Sequence, residues 1–127
     1  MVFTLINIIK DRTVTIYGIK TCSTVGKARK FMKDNNIEFD FVDYKVESVD
    51  ETKILEWLKQ VEMKVLFNTR GTKYRTLKLK ELNLDDKGKI EWMAKENYLI
   101  KRPVVEYGEG KVLVAYNEDV YREIFCK

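Results

Sequence analysis

A strand pattern joined directly to a helix pattern is the feature that most constrains this fold. Thr13 to Tyr17 alternates β-branched and aromatic residues before a glycine, which is typical of a strand that ends in a loop. Apolar residues then recur at helical spacing. The loop between the two patterns contains Cys22, and either Ser23 or Thr24 can cap the helix. We therefore expect Cys22 at the N-terminus of a helix that follows a strand.

A second strand and a second helix follow. Phe39 to Val46 has a strand pattern and ends in polar residues. Asp50 can then cap a helix. The predicted buried positions of this helix are Ile54, Leu55, Trp57, Leu58 and Val61. A strand–helix–strand–helix order favours an α/β sheet whose first two strands are parallel.

The end of the chain has the pattern of a hairpin and a helix. Val104 to Tyr107 and Val112 to Tyr116 flank a Gly-Glu-Gly turn, which predicts an antiparallel hairpin. Asn117 precedes two acidic residues, as at the start of a helix. The predicted apolar stripe of this helix comprises Val120, Ile124 and Phe125.

The middle of the chain is predicted to be helical. A helix over Asp86 to Asn97 would bury Ile90 and either Met93 or Trp92. The complete order is β-α-β, a helical insertion at about residues 50–100, and β-β-α. This order predicts an α/β, thioredoxin-like fold with a mixed four-stranded sheet. No repeat or linker divides residues 1–127, so we expect a single domain with an N-terminal extension over residues 1–12.

Composition excludes several classes of chemistry. The chain has no histidine, which excludes Ser-His-Asp and Cys-His relays and His-ligated zinc. Its two cysteines, Cys22 and Cys126, are too few for a four-thiolate metal site, so we expect no metal. The net charge of +4 is a mild excess spread along the chain, and we expect no direct contact with nucleic acid.

The location of the protein is also predicted from composition. No apolar stretch approaches the ~20 residues that span a bilayer. The apolar start of the chain has neither a basic region before it nor a small-residue cleavage site. We therefore expect a cytoplasmic protein without membrane contact, whose thiols are mostly reduced.

Cys22 is the candidate nucleophile. A free thiol, with a pKa near ~8.5, is mostly protonated at neutral pH. A helix N-terminus and the nearby Lys20 and Lys27 would stabilise the thiolate. The alternative is a small, partly buried residue that precedes a helix. Val25 occupies the position of a resolving cysteine, so a local disulfide is excluded, and we expect only an incidental role for Cys126.

Two further segments can bind an anion. Arg102-Pro103 precedes a strand, and arginine can hold an oxyanion with paired hydrogen bonds; a solvated cation before a strand is the alternative. Asn68 to Thr72 combines a glycine turn, hydroxyl groups and Arg70, which suits anion binding or an ordinary capped loop. The basic residues from 73 to 80 are followed by acids and are interpreted as a solvated helix face.

The segment Tyr17-Gly18-Ile19-Lys20-Thr21-Cys22-Ser23-Thr24 resembles the active-site loop of the arsenate reductase (ArsC) family, which includes the Spx and YffB branches. Further segments resemble family segments in the same order: Asn68 to Thr72, Lys101-Arg102-Pro103 and Tyr116 to Asp119. The resemblance covers nearly the whole chain and implies a thioredoxin fold with a helical insertion.

The resemblance implies an activity as well. In the glutaredoxin-coupled members, the loop cysteine attacks arsenate, glutathione displaces arsenite, and glutaredoxin reduces the mixed disulfide. Cys22 and Arg102 match the catalytic cysteine and arginine. The substrate-binding residues expected here are Lys20, Ser23, Thr24, Asn68, Arg70 and Pro103. Glutathione is the expected co-substrate, glutaredoxin the expected partner, and no bound cofactor is expected.

One departure from the family pattern bears on the substrate. The hairpin arginine of the arsenate enzymes falls near Ala115, which carries no charge, and the middle arginine falls near Asn68. Loss of one charge-assisted contact costs ~1.5–3 kcal/mol, which argues against efficient arsenate reduction. The expected substrate is an oxyanion or a mixed disulfide. The alternative function is a Spx-like transcriptional regulator that binds the RNA polymerase α subunit, without a disulfide switch because of Val25.

Overall fold

A computed structural model describes residues 13–126 of the chain. They form two compact units, one made of residues 13–43 and 102–126 and the other of Tyr44–Lys101. The predicted N-terminal extension, residues 1–12, lies outside the described residues. The single-domain organisation stays a prediction.

The first unit contains a four-stranded sheet. Its strands are β1 (Val14–Gly18), β2 (Phe39–Asp43), β3 (Val104–Tyr107) and β4 (Lys111–Val114), in the spatial order β2-β1-β3-β4. β1 and β2 are parallel, whereas β3 is antiparallel to both β1 and β4. This confirms the predicted α/β class, with a mixed four-stranded sheet in a thioredoxin-like order.

Helices account for most of the remaining regular structure. In chain order they are α1 (Ser23–Asp34), α2 (Glu51–Leu58), α3 (Met63–Leu66), α4 (Thr72–Thr76), α5 (Asp86–Lys95) and α6 (Glu118–Phe125). Two short 3-10 helices cover Leu79–Leu82 and Asn97–Leu99. Among residues 13–126, no helix has both the length and the apolar character needed to cross a membrane.

The core of the first unit joins one face of the sheet to α1 and α6. Its buried side chains are Val14, Ile16 and Val105 from the strands, Val25, Ala28, Phe31 and Met32 from α1, and Tyr121 from α6. Strand residues alternate between faces and the α1 residues recur at helical spacing. The core thus fixes α1 against β1, and with it the loop that contains Cys22.

Two residues that were expected to be buried, one in each of two helices, are exposed. In α2, Leu55 is 48% exposed, because the buried stripe comprises Ile54 and Trp57, both at 0%. In α6, Val120 is 38% exposed and the fully buried residue is Tyr121. The apolar residue nearest the expected spacing is therefore not always the residue that faces the core.

The expected end of the second strand is also wrong. β2 stops at Asp43, and Tyr44 to Val46 form a turn in which Val46 is 87% exposed. Parallel pairing with β1 ends where Gly18 faces Asp43. Beyond that pair, no β1 residue remains to continue the ladder.

The second unit is helical and is held by caps and one buried amide. Asp50 accepts a hydrogen bond from the backbone N–H of Lys53 (3.0 Å) and so caps α2 as predicted. The buried side chain of Asn97 accepts from Val49 N–H (2.8 Å) and donates to the carbonyls of Val49 (3.1 Å) and Met93 (2.8 Å). These bonds satisfy a polar group that would otherwise be costly to bury.

Candidate active site

A close approach between β1 and α1 positions the candidate nucleophile. A Cβ atom at Gly18 would lie 2.6 Å from Cγ2 of Val25, so only glycine fits at the end of β1. The intervening loop is tied by a hydrogen bond from Cys22 N–H to the Ile19 carbonyl (3.0 Å). Cys22 therefore lies at the point where the chain turns from the strand into the helix.

Cys22 is the N-cap of α1, and the predicted capping role of Ser23 or Thr24 is wrong. The helix already begins at Ser23, and Cys22 has an extended backbone (φ −78°, ψ 126°). The carbonyl of Cys22 accepts the first helical hydrogen bond, from Gly26 N–H (2.9 Å). The sulfur thus takes the position in which a serine or aspartate side chain commonly caps a helix.

The surroundings of the sulfur favour the thiolate. Burial raises the pKa of the Cys22 thiol, but the backbone N–H groups of Val25 and Thr24 and the guanidinium of Arg102 together outweigh burial. The net pKa of the Cys22 thiol therefore lies below that of an ordinary free thiol. Although the neutral thiol makes no capping hydrogen bond, the anion is the acceptor that these N–H groups lack.

Arg102 supplies the positive charge at this site. It is half-buried and donates a side-chain hydrogen bond to the Cys22 sulfur. It is joined by a cis peptide bond to Pro103, which is buried directly before β3. The structure thus brings Cys22 and Arg102 together from residues far apart in the sequence.

Three further candidate residues are close to Cys22 in the sequence. Lys20 and Ser23 are exposed and Thr24 is half-buried. Thr24 contributes through its backbone N–H, a role that side-chain reasoning did not find. Binding of substrate by these residues stays a prediction.

The sequence did not predict that hydrogen bonds connect Pro103 to Tyr121 through Ala115. The N–H of Ala115 donates to the Pro103 carbonyl (2.8 Å), and the carbonyl of Ala115 accepts from the Tyr121 hydroxyl (2.7 Å). Ala115 has a φ of +73°. Nothing in the local sequence marks this alanine, because its partners Pro103 and Tyr121 are not its neighbours in the sequence.

Asn68 and Arg70 belong to the second unit. The Asn68 side-chain oxygen accepts from the N–H of Arg70 (3.1 Å), and Arg75 donates to the Arg70 carbonyl (3.2 Å). Asn68 is half-buried and Arg70 is exposed. These bonds form an ordered turn before α4, and anion binding at this turn stays a prediction.

Cys126 lies at the other end of α1. Its exposed sulfur donates to the side-chain oxygen of Asn35 (3.6 Å), the residue that caps the C-terminus of α1. From Cys22 to Asn35 the helix rises roughly 20 Å. A disulfide needs Cα atoms within about 7 Å. Cys126 therefore cannot pair with Cys22 in this fold.

Comparison with known proteins gives consistent results. The ArsC family model matches residues 17–124. An uncharacterized protein of Haemophilus influenzae is 38% identical over 114 residues, covering 89% of this chain and 99% of that protein. The solved structure of a YFFB protein is 33% identical with a TM-score of 0.80, covering 87% of this chain and 96% of the other. An arsenate reductase (ArsC) related protein of Brucella melitensis is 38% identical with a TM-score of 0.70, covering 89% and 94%.

A more distant similarity is to a regulator. The global transcriptional regulator Spx 1 of Oceanobacillus iheyensis is 28% identical over 111 residues, covering 86% of this chain and 84% of that protein. Proteins named for reduction and a protein named for regulation thus share sequence with this chain.

Proposed function

Because the chain belongs to the ArsC family, we propose that it is a cytoplasmic single-cysteine thiol oxidoreductase that acts through Cys22. It reduces an oxyanion or a mixed disulfide, with glutathione as co-substrate and glutaredoxin as the recycling partner. The observation that carries this proposal is the cap position of Cys22, where two backbone N–H groups and Arg102 stabilise its thiolate.

The mixed-disulfide reaction follows from thiol exchange. The Cys22 thiolate attacks the glutathione sulfur of a mixed disulfide, forms a Cys22–glutathione disulfide and releases the substrate thiolate, which takes a proton from water. Glutathione, or glutaredoxin acting for it, then attacks the glutathione sulfur and restores the Cys22 thiolate. A thiol whose pKa is close to ambient pH is the most effective in such steps.

The oxyanion reaction uses the same sulfur. The thiolate displaces a hydroxide from the oxidised centre, glutathione supplies the two electrons together with the Cys22 sulfur, and the reduced oxyanion leaves. This step ends in the same Cys22–glutathione disulfide. The Arg102 guanidinium would hold the anionic oxygen beside the sulfur. At the hairpin position Ala115 offers no second cation, which favours the mixed disulfide as the better substrate.

An external thiol is required in either reaction. Val25, fully buried in α1, stands where a local resolving cysteine would be, and Cys126 lies a helix length away. This arrangement supports a cycle in which the reducing thiol comes from glutathione.

The test compares the two cysteines. Reduction of the mixed disulfide of glutathione and 2-mercaptoethanol is measured with glutathione alone and with glutaredoxin, and arsenate is the second substrate. The rate of glutathione and glutaredoxin without the protein is subtracted, and we expect Cys22→Ser to abolish the remaining turnover and Cys126→Ser, the matched control, to retain it. Mass spectrometry should find glutathione on Cys22. Full turnover by Cys22→Ser, or no turnover by the unaltered protein with either substrate, would refute the proposal.

A second candidate function is that of a Spx-like regulator without a disulfide switch. The similarity to the Spx 1 regulator favours it. Direct binding of the purified RNA polymerase α subunit, unchanged by Cys22→Ser, would support this candidate. No binding at micromolar concentrations of either form would exclude it.

A further inference from the structure

We propose that Tyr121 is a positioning residue of the thiol site, which holds Arg102 against Cys22 through Ala115 and Pro103. The inference rests on the proposed function in one respect, namely that the Cys22 thiolate is the reacting species. It concerns a residue of α6 that touches neither the sulfur nor a substrate. We therefore expect a change at Tyr121 to alter the ionisation of the Cys22 thiol.

Two short hydrogen bonds make the connection. The Tyr121 hydroxyl donates to the carbonyl of Ala115 (2.7 Å), and the N–H of the same alanine donates to the Pro103 carbonyl (2.8 Å). Pro103 follows Arg102 directly in the chain, and the Arg102 side chain donates to the Cys22 sulfur. One residue, Ala115, thus links the phenol of α6 to the backbone that carries the active-site cation.

Tyr121 is itself held firmly. Its side chain is fully buried, and its ring packs edge-on against Phe31 (5.5 Å between centroids), Tyr116 (4.7 Å) and Phe125 (5.7 Å). Its backbone N–H donates to Asn117, the N-cap of α6 (3.0 Å). The hydroxyl therefore has a fixed position, and the core determines where the Ala115 carbonyl must lie.

Ala115 needs this support. Its φ of +73° lies in the left-handed region that residues other than glycine rarely adopt, and such conformations persist only when the surrounding structure determines them. Without the Tyr121 hydroxyl, the backbone of Ala115 keeps the hydrogen bond from its N–H to Pro103 but loses the one at its carbonyl. It is then free to relax and to move the Pro103 carbonyl with it.

A small movement there is sufficient to affect the sulfur. A hydrogen bond to a charged group depends steeply on distance and angle. Displacement of the Arg102 backbone weakens the guanidinium contact, whereas the N–H groups of α1 are unaffected. We therefore expect a partial loss of thiolate stabilisation, smaller than the loss caused by removing the guanidinium itself.

The test uses Tyr121→Phe, which removes one oxygen and keeps the ring packing. The matched control is Tyr116→Phe, the same change on the neighbouring ring of the cluster. In a Cys126→Ser background, the alkylation rate of the remaining thiol is measured against pH. We expect Tyr121→Phe to move the midpoint of this profile to higher pH and to slow alkylation at pH 7 by about two- to fivefold. Tyr116→Phe should leave the profile unchanged.

A double-mutant cycle separates positioning from a general loosening of the fold. In an Arg102→Gln background, Tyr121→Phe should no longer move the midpoint, because its effect is transmitted through the guanidinium. An equal shift in both backgrounds, or no shift in the unaltered background, would overturn the inference. Loss of melting temperature alone, with an unchanged profile, would overturn it as well.

The proposed function is tested by a different measurement, namely turnover of the glutathione mixed disulfide and of arsenate. A Tyr121→Phe shift in a protein that reduces no glutathione mixed disulfide and no arsenate would support the positioning role and refute the reductase. Turnover without a shift would support the reductase and refute the positioning role.

Discussion

The two cysteines of this chain lie at opposite ends of the same helix and meet opposite surroundings. At the N-terminal end of α1, Cys22 faces two backbone N–H groups and the guanidinium of Arg102. At the C-terminal end, the exposed Cys126 donates to the oxygen of Asn35. The donors aimed at the Cys22 sulfur stabilise its thiolate. The N-terminal end of α1 is thus the end that favours a reactive cysteine.

The largest expected effect is the difference in reactivity between the two thiols. At pH 7 we expect Cys22 to react with iodoacetamide several-fold faster than Cys126, because two backbone N–H groups and the Arg102 guanidinium stabilise the Cys22 thiolate. Because its pKa is lowered, the rate profile of Cys22 should reach its midpoint below the ~8.5 of an ordinary free thiol. The Cys22→Ser and Cys126→Ser variants allow each thiol to be measured alone. Equal rates would contradict the comparison.

A change at Gly18 should remove much of this difference. Its added Cβ would lie 2.6 Å from the buried Val25, so Gly18→Ala must displace α1 and is expected to lower the free energy of unfolding by ~1–3 kcal/mol. The sulfur would then move relative to its hydrogen-bond donors, and the difference in alkylation rate between Cys22 and Cys126 should become smaller.

The matched control for this change is Gly26→Ala within α1. Apart from its chain neighbours and the backbone of its own helix, nothing lies within 4 Å of the added Cβ, and alanine is the better helix former. Urea unfolding should show Gly26→Ala to be neutral or stabilising. A stable Gly18→Ala variant with unchanged alkylation would show that the close approach does not position the loop.

Removal of the guanidinium should have an intermediate effect. Arg102→Gln is expected to raise the pKa of Cys22 and to slow its alkylation at pH 7 by about three- to tenfold, less than a fully buried charged hydrogen bond would give, because water reaches both side chains. Arg122→Gln is the control, because Arg122 pairs with Glu118 (2.8 Å). A rate equal to that of the unaltered protein would show that the N–H groups alone stabilise the thiolate.

The smallest effect is expected from Lys27. This residue lies in the first turns of α1 but is exposed, so its charge is screened by water and salt. Lys27→Gln should slow alkylation of Cys22 by less than about twofold at physiological ionic strength. A larger change that vanishes at high salt would mean that long-range charge contributes more than the contacts described above.

Features of the fold with a local signal were predictable. The alternation of Thr13 to Tyr17 marks β1, and the carboxylate of Asp50 and the amide of Asn117 cap their helices through hydrogen bonds of 3.0 and 3.1 Å. The C-terminal end of the second strand could not be predicted from the local sequence. Its apolar residues continue to Val46, but β1 offers no partner beyond Gly18.

The candidate site shows the same division. The place of Cys22 between a strand and a helix follows from the pattern around it, although the cap itself was assigned one or two residues too late. The support of Arg102 by Ala115 and Tyr121 depends on a positive φ at an alanine and on contacts made only after folding. The amphipathic pattern of α6 predicted burial of Val120, whereas Tyr121 is the fully buried residue. The spacing of apolar residues does not show that the Tyr121 hydroxyl has a hydrogen-bond acceptor in the folded protein.

The length of α1 has a consequence for how oxidation is handled. With its two sulfurs a helix apart, the folded chain cannot store an oxidising equivalent as an internal disulfide. A Cys22 sulfenic acid is instead open to capping by a thiol from outside, and without such a thiol it is exposed to further oxidation to sulfinic acid, which is essentially irreversible. The fraction of Cys22 that remains a free thiol should therefore follow the supply of thiol around the protein.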